Sequence, residues 1–173
     1  RVNQQLQVQL EENRKLAQTD TLTSIANRYL MEKTLPQECE RAQRFRRPLS
    51  LIAMDIDDFK TINDHYGHAL GDAAIVQVVE RVKHYVREGD LLARWGGDEF
   101  IMILPDTSLT DARLLAQEIR DGLLSLPPVG EFQVTMSFGV VQRFEEEQQT
   151  GLLARADQAL YRSKVAGKNV ISG

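Results

Sequence analysis

Carboxylates stand in two short clusters of this sequence, each beside an apolar segment. Asp55 closes the apolar run 51–56 and two more acids follow it, while Asp98 and Glu99 follow a Gly-Gly pair. An acid at the end of an apolar strand is costly to desolvate unless another group offsets its charge. If the run 51–56 pairs with the second cluster, the three named acids form a set of hard oxygen ligands at one sheet edge. Such ligands suit Mg²⁺ held together with substrate phosphates, which indicates metal-assisted phosphoryl transfer.

Each acid cluster also has a purely structural interpretation. Asp57 or Asp58 can cap a helix over residues 58–65, with Asp55 as a satisfied loop acid. The Gly-Gly pair can form a hairpin turn because glycine accepts positive φ, with soluble acids beside it. A hairpin tip does not, however, need two adjacent acids flanked by aromatic residues. Two glycines also allow a bound group to approach the backbone closely.

Side chains that could hold a nucleotide lie outside the acid clusters. The basic candidates for contact with phosphate are Lys60, Lys164 and Lys168. The last two lie near the end of a predicted helix, where the structural alternative is a solvated helix end whose dipole favours cations. Asn63 and Asp72 can pair with the donors and the acceptor of a guanine edge, and His68 lies between them. Each of these residues taken singly is also compatible with a structural role.

The periodicity of apolar residues predicts the elements that would position these groups. The predicted helices cover residues 26–46, 58–65, 71–86, 111–124 and 152–165, and the predicted strands cover 51–56, 91–94, 100–104 and 132–141. The run 51–56 is too short for a helix and is typical of a strand buried on both faces. Strands 91–94 and 100–104 form a hairpin whose turn holds the glycine pair. The order indicates an α+β sandwich in which helices cover a central, mainly antiparallel sheet.

Residues 1–19 differ from the rest of the chain, being rich in Gln, Glu and Asn without Gly or Pro. Val2, Leu6 and Leu10 begin a narrow apolar seam at helical spacing. We expect residues 1–19 to be a helical linker, a coiled-coil-like stalk that enters from an upstream sensory domain, and residues 20–173 to be the functional domain. The alternative is a terminal helix packed on its own domain. The segment 20–24 holds Asp, Thr and Ser residues that can cap the next helix.

The bulk composition excludes several classes of protein. The 173 residues are 42% hydrophobic and 27% charged, which suits one globular domain that needs no disulfide. Cys39 is the single cysteine, so neither an intrachain disulfide nor a thiolate metal cluster can form. The net charge of −4 argues against wholesale DNA or RNA binding, and no apolar run approaches the ~20 residues of a membrane helix. We expect a cytoplasmic domain. Because the chain begins at Arg1, we expect it to come from a longer protein, whose missing N-terminal region could tether it to a membrane.

The motifs resemble, in order and spacing, those of the GGDEF domain family, the diguanylate cyclases. The signature stands unaltered at residues 96–100, and residues 55–64 resemble the family's D-x-D-x-F-K-x-x-N-D segment. Further matching blocks are Asp20–Thr23 with Asn27-Arg28, His68–Asp72, Ser137–Val140, Ala156–Tyr161 and Gly167–Asn169. The resemblance covers residues 20–171. Two departures are Ser24, where the opening motif usually has Gly, and Lys168, where many members have Arg.

The resemblance implies a fold similar to the palm of nucleotidyl cyclases and polymerases, and condensation of two GTP molecules into cyclic di-GMP with release of pyrophosphate. It implies catalytic roles for Asp98 and Glu99, and Mg²⁺, or Mn²⁺ in its place, held by Asp55, the Ile56 carbonyl, Asp98 and Glu99. The implied substrate contacts are Phe59, Lys60, Asn63, His68, Asp72, Gly96, Gly97, Lys164 and Lys168. Because one domain binds one GTP, a homodimer is expected for catalysis.

A second ligand site is implied by Arg87 and Asp90, which match the family's inhibitory R-x-x-D motif at its usual distance before Gly96. The arginine can grip guanine or phosphate of cyclic di-GMP, and the aspartate can accept from guanine. A surface ion pair is the structural alternative, and Arg113 and Arg120 are candidates for a further arginine of this site. For the whole domain, the alternatives are a non-catalytic receptor for cyclic di-GMP or GTP, and a dimerisation module. The intact acids and Lys164 argue against the receptor.

Overall fold

The computed structural model describes residues 2–173, which form a five-stranded sheet with helices on both faces. The helices are α1 Val2–Gln18, α2 Arg28–Phe45, α3 Phe59–Tyr66, α4 His68–Lys83, α5 Leu109–Leu123 and α6 Gln149–Val165. The strands are β1 Leu49–Ile56, β2 Leu91–Arg94, β3 Glu99–Pro105, β4 Met136–Gln142 and β5 Ile171–Ser172. The strand order is β2-β3-β1-β4-β5, and only the β4–β5 pair is parallel among the described strands. The expected α+β fold with a mainly antiparallel sheet is confirmed.

The central strand β1 is buried along its whole length, as its apolar sequence predicts. Its side chains alternate between two cores because successive residues of a strand point to opposite faces. Ile52 and Met54 join the core formed with α4 and α5, whereas Leu51 and Ala53 join the core formed with α2 and α6. This double burial fixes the end of β1, where Asp55 lies, against both layers of helices.

Several predicted boundaries differ from the structure. Strand β4 begins at Met136 and not at residue 132, because Val129 and Phe132 exchange backbone hydrogen bonds of 2.8 and 2.9 Å across a tight turn. Helix α4 begins at His68, directly after Gly67 with its φ of 86°, and not at residue 71. Strand β5 was not predicted, since two residues give no periodic signal.

Residues 19–27 form a wide loop, here called the connecting turn, that leads from α1 to α2. The expected cap of α2 within residues 20–24 is wrong: the Asn27 side chain accepts the Leu30 N–H at 3.0 Å. Ser24 adopts a φ of 64°, in the left-handed region that favours glycine, which accounts physically for the family's preference at this position. Ala26 bridges to Ala93 of β2, so the connecting turn is attached to the edge of the sheet.

Helix α1 projects from the domain without burying any residue. The seam residues Val2, Leu6 and Leu10 are all more than half exposed. The alternative of a terminal helix packed on its own domain is therefore wrong, and the expected N-terminal helix is confirmed. Its role as a linker from an upstream domain stays a prediction. Within residues 2–173, none of the helices is both long and apolar enough to cross a membrane.

Candidate active site

The end of β1 and the start of β3 bring the two acid clusters together. The antiparallel register places Asp55 opposite Glu99, and the Ile56 N–H donates to the Asp98 carbonyl at 3.1 Å. The Asp98 carboxyl lies close enough to the Asp55 carboxyl to raise its pKa. The expected pairing of β1 with the hairpin is therefore present, and two acids that are 43 positions apart in the chain meet.

Asp55 is the most deeply buried acid of this group, with 3% of its surface exposed. Burial raises the pKa of its carboxyl to about 7, and the neighbouring Asp98 acts in the same direction. The Lys164 ammonium, which donates a hydrogen bond to Asp55 Oδ2, opposes this effect. Two adjacent carboxyls and one ammonium thus share a site in which Asp55 is buried and Asp98 and Lys164 are partly exposed.

The acids fit a divalent cation that is shared with a phosphate-bearing ligand. Among residues 2–173, no group of three or more His, Cys, Asp or Glu side chains is arranged so as to hold a metal by itself. Asp55 and Asp98 lie together, whereas the Glu99 carboxylate lies beside Gly96, so its part in the expected three-acid cluster stays a prediction. The Asp55–Asp98 pair matches the one or two carboxylates by which proteins usually hold Mg²⁺ together with substrate phosphates.

Asp57 has a different role from Asp55, although it is also buried. Its carboxylate accepts from Ser137 Oγ at 2.6 Å, Thr135 Oγ1 at 2.7 Å and the Asn169 N–H at 2.9 Å. These bonds join the end of β1 to the start of β4 and to the loop after α6. The interpretation of Asp57 as a helix cap is wrong.

Asp58 lies at the N-cap position of α3 but makes no capping hydrogen bond with its side chain. Its φ of 55° is left-handed, and its carboxylate accepts a hydrogen bond from the Lys168 ammonium. The capping interpretation is therefore wrong for Asp58 as well. Lys164 of α6 and Lys168 in the loop after it are both paired with acids at or just after the end of β1, Lys164 with Asp55 and Lys168 with Asp58.

The Gly96-Gly97 turn presents open backbone beside these acids. Neither glycine has a positive φ, so the explanation of the pair by turn conformation alone is wrong. A methyl group built on Gly97 would meet no atom within 4 Å, and one on Gly96 would come no closer than 3.6 Å to Glu99 Oε2. The absence of side chains leaves room for a bound group against the backbone.

Arg94 is hydrogen-bonded to the backbone of this turn, a role that the sequence did not predict. Its guanidinium donates to the Gly97 carbonyl from Nε at 3.0 Å and from Nη2 at 2.7 Å. Its Nη1 donates to both Asp20 carboxylate oxygens at 3.3 Å. Next to it, the Arg28 guanidinium lies 4.0 Å from the centre of the Trp95 ring. The position of Arg94, two residues before the glycines, was the one available sequence signal.

Helices α3 and α4 bring together part of the predicted guanine site. Asn63 Oδ1 is buried without a hydrogen-bond partner, the one side-chain atom of this kind among the described residues. It lies against Gly71, beside the exposed Asp72, and Phe59 reaches the same glycine. Lys60 and His68 are exposed on α3 and at the first residue of α4. The unpartnered oxygen of Asn63 is therefore available to a donor from a ligand.

Arg87 and Asp90 form a local pair ahead of β2. The nearly buried Asp90 carboxylate accepts from the Arg87 N–H at 3.0 Å and from its Nε at 3.3 Å. The Arg87 side chain is 60% exposed and donates from Nη2 to Thr107 Oγ1 at 2.8 Å. The two candidates for a further arginine are engaged elsewhere, Arg113 with the Gly173 carbonyl and Arg120 with Asp121.

Comparison with known proteins agrees with this geometry. The family described as diguanylate cyclase, GGDEF domain, matches residues 17–170. The chain belongs to the GGDEF domain family. A similar relative is the diguanylate cyclase DgcP of Pseudomonas aeruginosa, 39% identical over 92% of this chain and 24% of its own length. The response regulator PleD of Caulobacter vibrioides is 38% identical over 95% of this chain and 37% of its own length. The chain thus spans about a quarter to two fifths of these two curated relatives.

Among solved structures, the GGDEF fold of this chain is similar to the coiled coil and GGDEF domain of DgcB from Caulobacter crescentus, which was solved in complex with c-di-GMP. The two structures share a TM-score of 0.92 and 32% identity over 98% of this chain and 92% of the other. The similarity extends over the helical stalk as well as the domain.

The later GGDEF motifs of this chain have structural explanations that the sequence did not reveal. Ser137 bonds Asp57, and a Cβ on Gly139 would lie 2.3 Å from the Leu160 backbone nitrogen, so only glycine lets α6 pack this closely on β4. Ser163 of α6 donates to the Phe138 carbonyl at 2.6 Å. These contacts hold α6, and with it Lys164, over the acids.

Proposed function

We propose that this GGDEF domain is a diguanylate cyclase, which condenses two GTP molecules into cyclic di-GMP and two pyrophosphates. The observation that carries the proposal is the Asp55–Asp98 pair, with Lys164 bonded to Asp55 and an open glycine turn beside it. The names of the relatives and the c-di-GMP complex of DgcB support the same activity. The intact acids, with Lys164 beside them, favour the cyclase over a receptor that binds nucleotide without turnover.

In the proposed site, Asp55, the Ile56 carbonyl, Asp98 and Glu99 would hold Mg²⁺, for which Mn²⁺ could substitute. The ion, when bound, supplies Lewis-acid stabilisation of the charge on the phosphoryl oxygens. The Asp98 carboxyl, which lies beside Asp55 and raises the pKa of Asp55, supports this placement.

Asp98 is the proposed acceptor of the proton from the 3′-hydroxyl, and Glu99 is proposed to support the metal site. Each 3′-oxygen attacks the α-phosphorus of the other GTP, a new P–O bond forms, and the bond to the β-phosphate oxygen breaks to release pyrophosphate. Lys60, Lys164 and Lys168 carry the charge to bind the triphosphate. Catalysis then rests on positioning and on charge stabilisation.

The guanine base is proposed to lie against α3 and α4. The free Asn63 Oδ1 would accept from guanine, and Asp72 would accept a second donor. Phe59 and His68 would line the same pocket, and Gly96 and Gly97 would lie against the nucleotide. The missing partner of Asn63 supports this assignment, because a buried polar atom without a hydrogen bond is costly.

A homodimer follows from the stoichiometry, since one domain holds one GTP and the ring requires two. The division that we propose is a linker of residues 1–19, which brings two domains together and continues from an upstream sensory domain, and a catalytic domain of residues 20–173. The exposed apolar seam of α1 supports this division.

Product inhibition through Arg87 and Asp90 is the finer part of the proposal. The exposed Arg87 guanidinium, oriented by Asp90 and Thr107, is available to guanine or phosphate. Binding of labelled cyclic di-GMP should weaken at least tenfold in Arg87→Ala, the cost of about one charge-assisted hydrogen bond. Unchanged binding would remove this site from the proposal.

The test of the activity is incubation of the dimeric protein with GTP and Mg²⁺, followed by chromatography of the products. We expect cyclic di-GMP from the wild type, and a loss of about 10²-fold or more in Asp98→Ala with an unaltered thermal unfolding midpoint. Nucleotide binding without turnover by a demonstrably dimeric wild type would favour the receptor. Full turnover in Asp98→Ala would contradict the role of Asp98.

A further inference from the structure

The Gly96-Gly97 turn is fixed to the connecting turn by one side chain. Arg94 uses two guanidinium nitrogens on the Gly97 carbonyl and the third on Asp20, so the same group grips both segments. Arg94 and Asp20 are each only 18% exposed, which favours a defined geometry over a solvated surface pair.

Asp20 is itself held in place by the connecting turn. Its carboxylate accepts from the Thr23 N–H at 3.0 Å and from Thr23 Oγ1 at 2.7 Å. Burial alone would raise the pKa of Asp20, but the bonds from Thr23 and the Arg94 guanidinium outweigh it and hold the pKa below its usual value. The carboxylate is therefore ionised, as the grip on Arg94 requires.

The connecting turn is bonded in turn to the last residues of α1. Asn27 donates from Nδ2 to the Ala17 carbonyl at 2.8 Å and from its backbone N–H to the Gln18 carbonyl at 2.9 Å. The next residue, Arg28, stacks on Trp95, which directly precedes the glycine pair. A continuous series of contacts thus runs from the end of the stalk to the Gly97 carbonyl.

From this series we propose that Asp20 and Arg94 are positioning residues, which set the Gly96-Gly97 turn, and with it Asp98, by reference to the end of α1. The proposal rests on the proposed cyclase function for its effect on turnover. Among the described residues, neither side chain forms a hydrogen bond or ion pair with the other acids or lysines of the site, so the pair acts through the backbone of the turn. A small displacement of Asp98 affects the chemical step more than the binding of GTP, because reactions between aligned groups are sensitive to distances of ~1 Å.

The test compares Asp20→Asn and Arg94→Lys with Glu147→Gln as matched control. Asp20→Asn keeps the oxygen that accepts from Thr23 but loses the charge, and Arg94→Lys keeps the charge but loses the forked grip. Glu147 forms a similarly buried pair with Arg155, at 2.6 Å, around the N-terminal half of α6 and away from the Gly96-Gly97 turn. It therefore reports the effect of losing an ion pair as such.

We expect kcat to fall about tenfold or more in both variants, with the KM for GTP within about twofold of the wild type. In Glu147→Gln, kcat should stay unchanged at a comparable loss of thermal stability. The double variant Asp20→Asn with Arg94→Lys should have a kcat no lower than that of the slower single variant, because both changes break the same interaction between Asp20 and Arg94. Additive losses, or an equal loss in the control, would overturn the proposal.

Hydrogen–deuterium exchange separates this inference from the proposed activity, since it needs no turnover. The amides of Trp95 and Gly96, which donate to the Glu99 carbonyl across the turn, should exchange about tenfold faster in Asp20→Asn and Arg94→Lys, because the turn loses its external anchor. The amides of residues 101–104 should exchange as in the wild type and in Glu147→Gln. Unchanged exchange at Trp95 and Gly96 would overturn the positioning role, whereas absence of cyclic di-GMP from the wild type would overturn only the cyclase proposal.

Discussion

Asp55 and Asp57, two acids near the end of β1, have identical side chains but different roles, because their surroundings differ. Asp57 accepts three hydrogen bonds, two from β4 and its approach and one from the loop after α6, and this satisfies its charge. Asp55 has an ammonium on one side and Asp98 on the other, and its pKa is raised mainly by burial. Asp57 therefore has a structural role, in which it joins β1 to β4 and to the loop after α6. The surroundings of Asp55 disfavour its charged form, and the positive charge of a metal–nucleotide complex can stabilise that form.

The closest test of the guanine site at the residue scale is Gly71→Ala. A Cβ on Gly71 would lie 1.8 Å from Asn63 Oδ1, the end of a flexible side chain that can rotate away. We expect the domain to fold and the KM for GTP to rise about tenfold, the cost of one hydrogen bond to the base. Steady-state kinetics with GTP measures the change.

The matched control for this change is Gly151→Ala in α6. Its Cβ would meet Glu147 at 3.5 Å, an ordinary contact, so KM should stay unchanged. Equal KM values in Gly71→Ala and wild type would mean that Asn63 does not contact the base.

At the scale of elements, the packing of α6 on β4 decides where Lys164 lies. A Cβ on Gly139 would come within 2.3 Å of the Leu160 nitrogen and 2.5 Å of the Ala156 carbonyl oxygen, and neither backbone atom can move without shifting the helix. We expect Gly139→Ala to lower the free energy of unfolding by about 3 kcal/mol. Chemical denaturation measures the loss, and a variant as stable as the wild type would show that α6 is not packed this closely.

The N-terminal end of α6 carries a pH-dependent contribution to stability. Hydrogen bonds from Arg155, aided by the Phe144 N–H and by the charges of Arg155 and Arg143, outweigh burial and hold the pKa of Glu147 below 4.5. A lowered native pKa stabilises the fold above the unfolded pKa, and the contribution is lost as the pH falls through the native value. We expect Glu147→Gln to be less stable than wild type at about pH 7 and to approach it at about pH 3. Urea unfolding at both pH values tests this, and a constant difference would contradict it.

The elements that the sequence predicts well are those with strong local signals. The apolar run of β1, the glycine pair of the hairpin and the periodic helices were placed within a few residues, because burial on defined faces leaves a regular pattern. The start of β4 was misplaced, since the paired turn of Val129 and Phe132 interrupts a sequence that still alternates. Strand β5 is too short to leave any pattern.

The side-chain contacts that join one element to another were not predictable in the same way. Asp57 finds its partners near residues 135, 137 and 169, and Arg94 finds Asp20 across 74 positions. Such contacts depend on strand register and on loop conformation, which local periodicity does not encode. The family motifs marked several of these positions without revealing what each residue contacts.

At the scale of the whole molecule, the stalk and the active site form one connected system. Helix α1 leaves its apolar seam exposed, and its last residues are bonded to the connecting turn that anchors Arg94. Pairing of two stalks would therefore raise the local concentration of the second domain and also define the position of the turn. A signal that alters the stalk could in this way change the rate without touching the nucleotide.

The stalk seam can be tested in the full chain with a pair of charge substitutions. Leu6 and Leu10 lie on the seam, whereas Gln4 and Val8 lie on the opposite side of α1 at the same spacing of four, and all four are exposed. Leu6→Glu with Leu10→Glu should lower the specific activity at low protein concentration by about 10²-fold, because each domain loses its tethered partner. Activity should recover as the protein concentration rises. Gln4→Glu with Val8→Glu adds the same two charges and should leave the dependence of rate on protein concentration unchanged. Equal behaviour of the two double variants would mean that dimerisation does not use the seam.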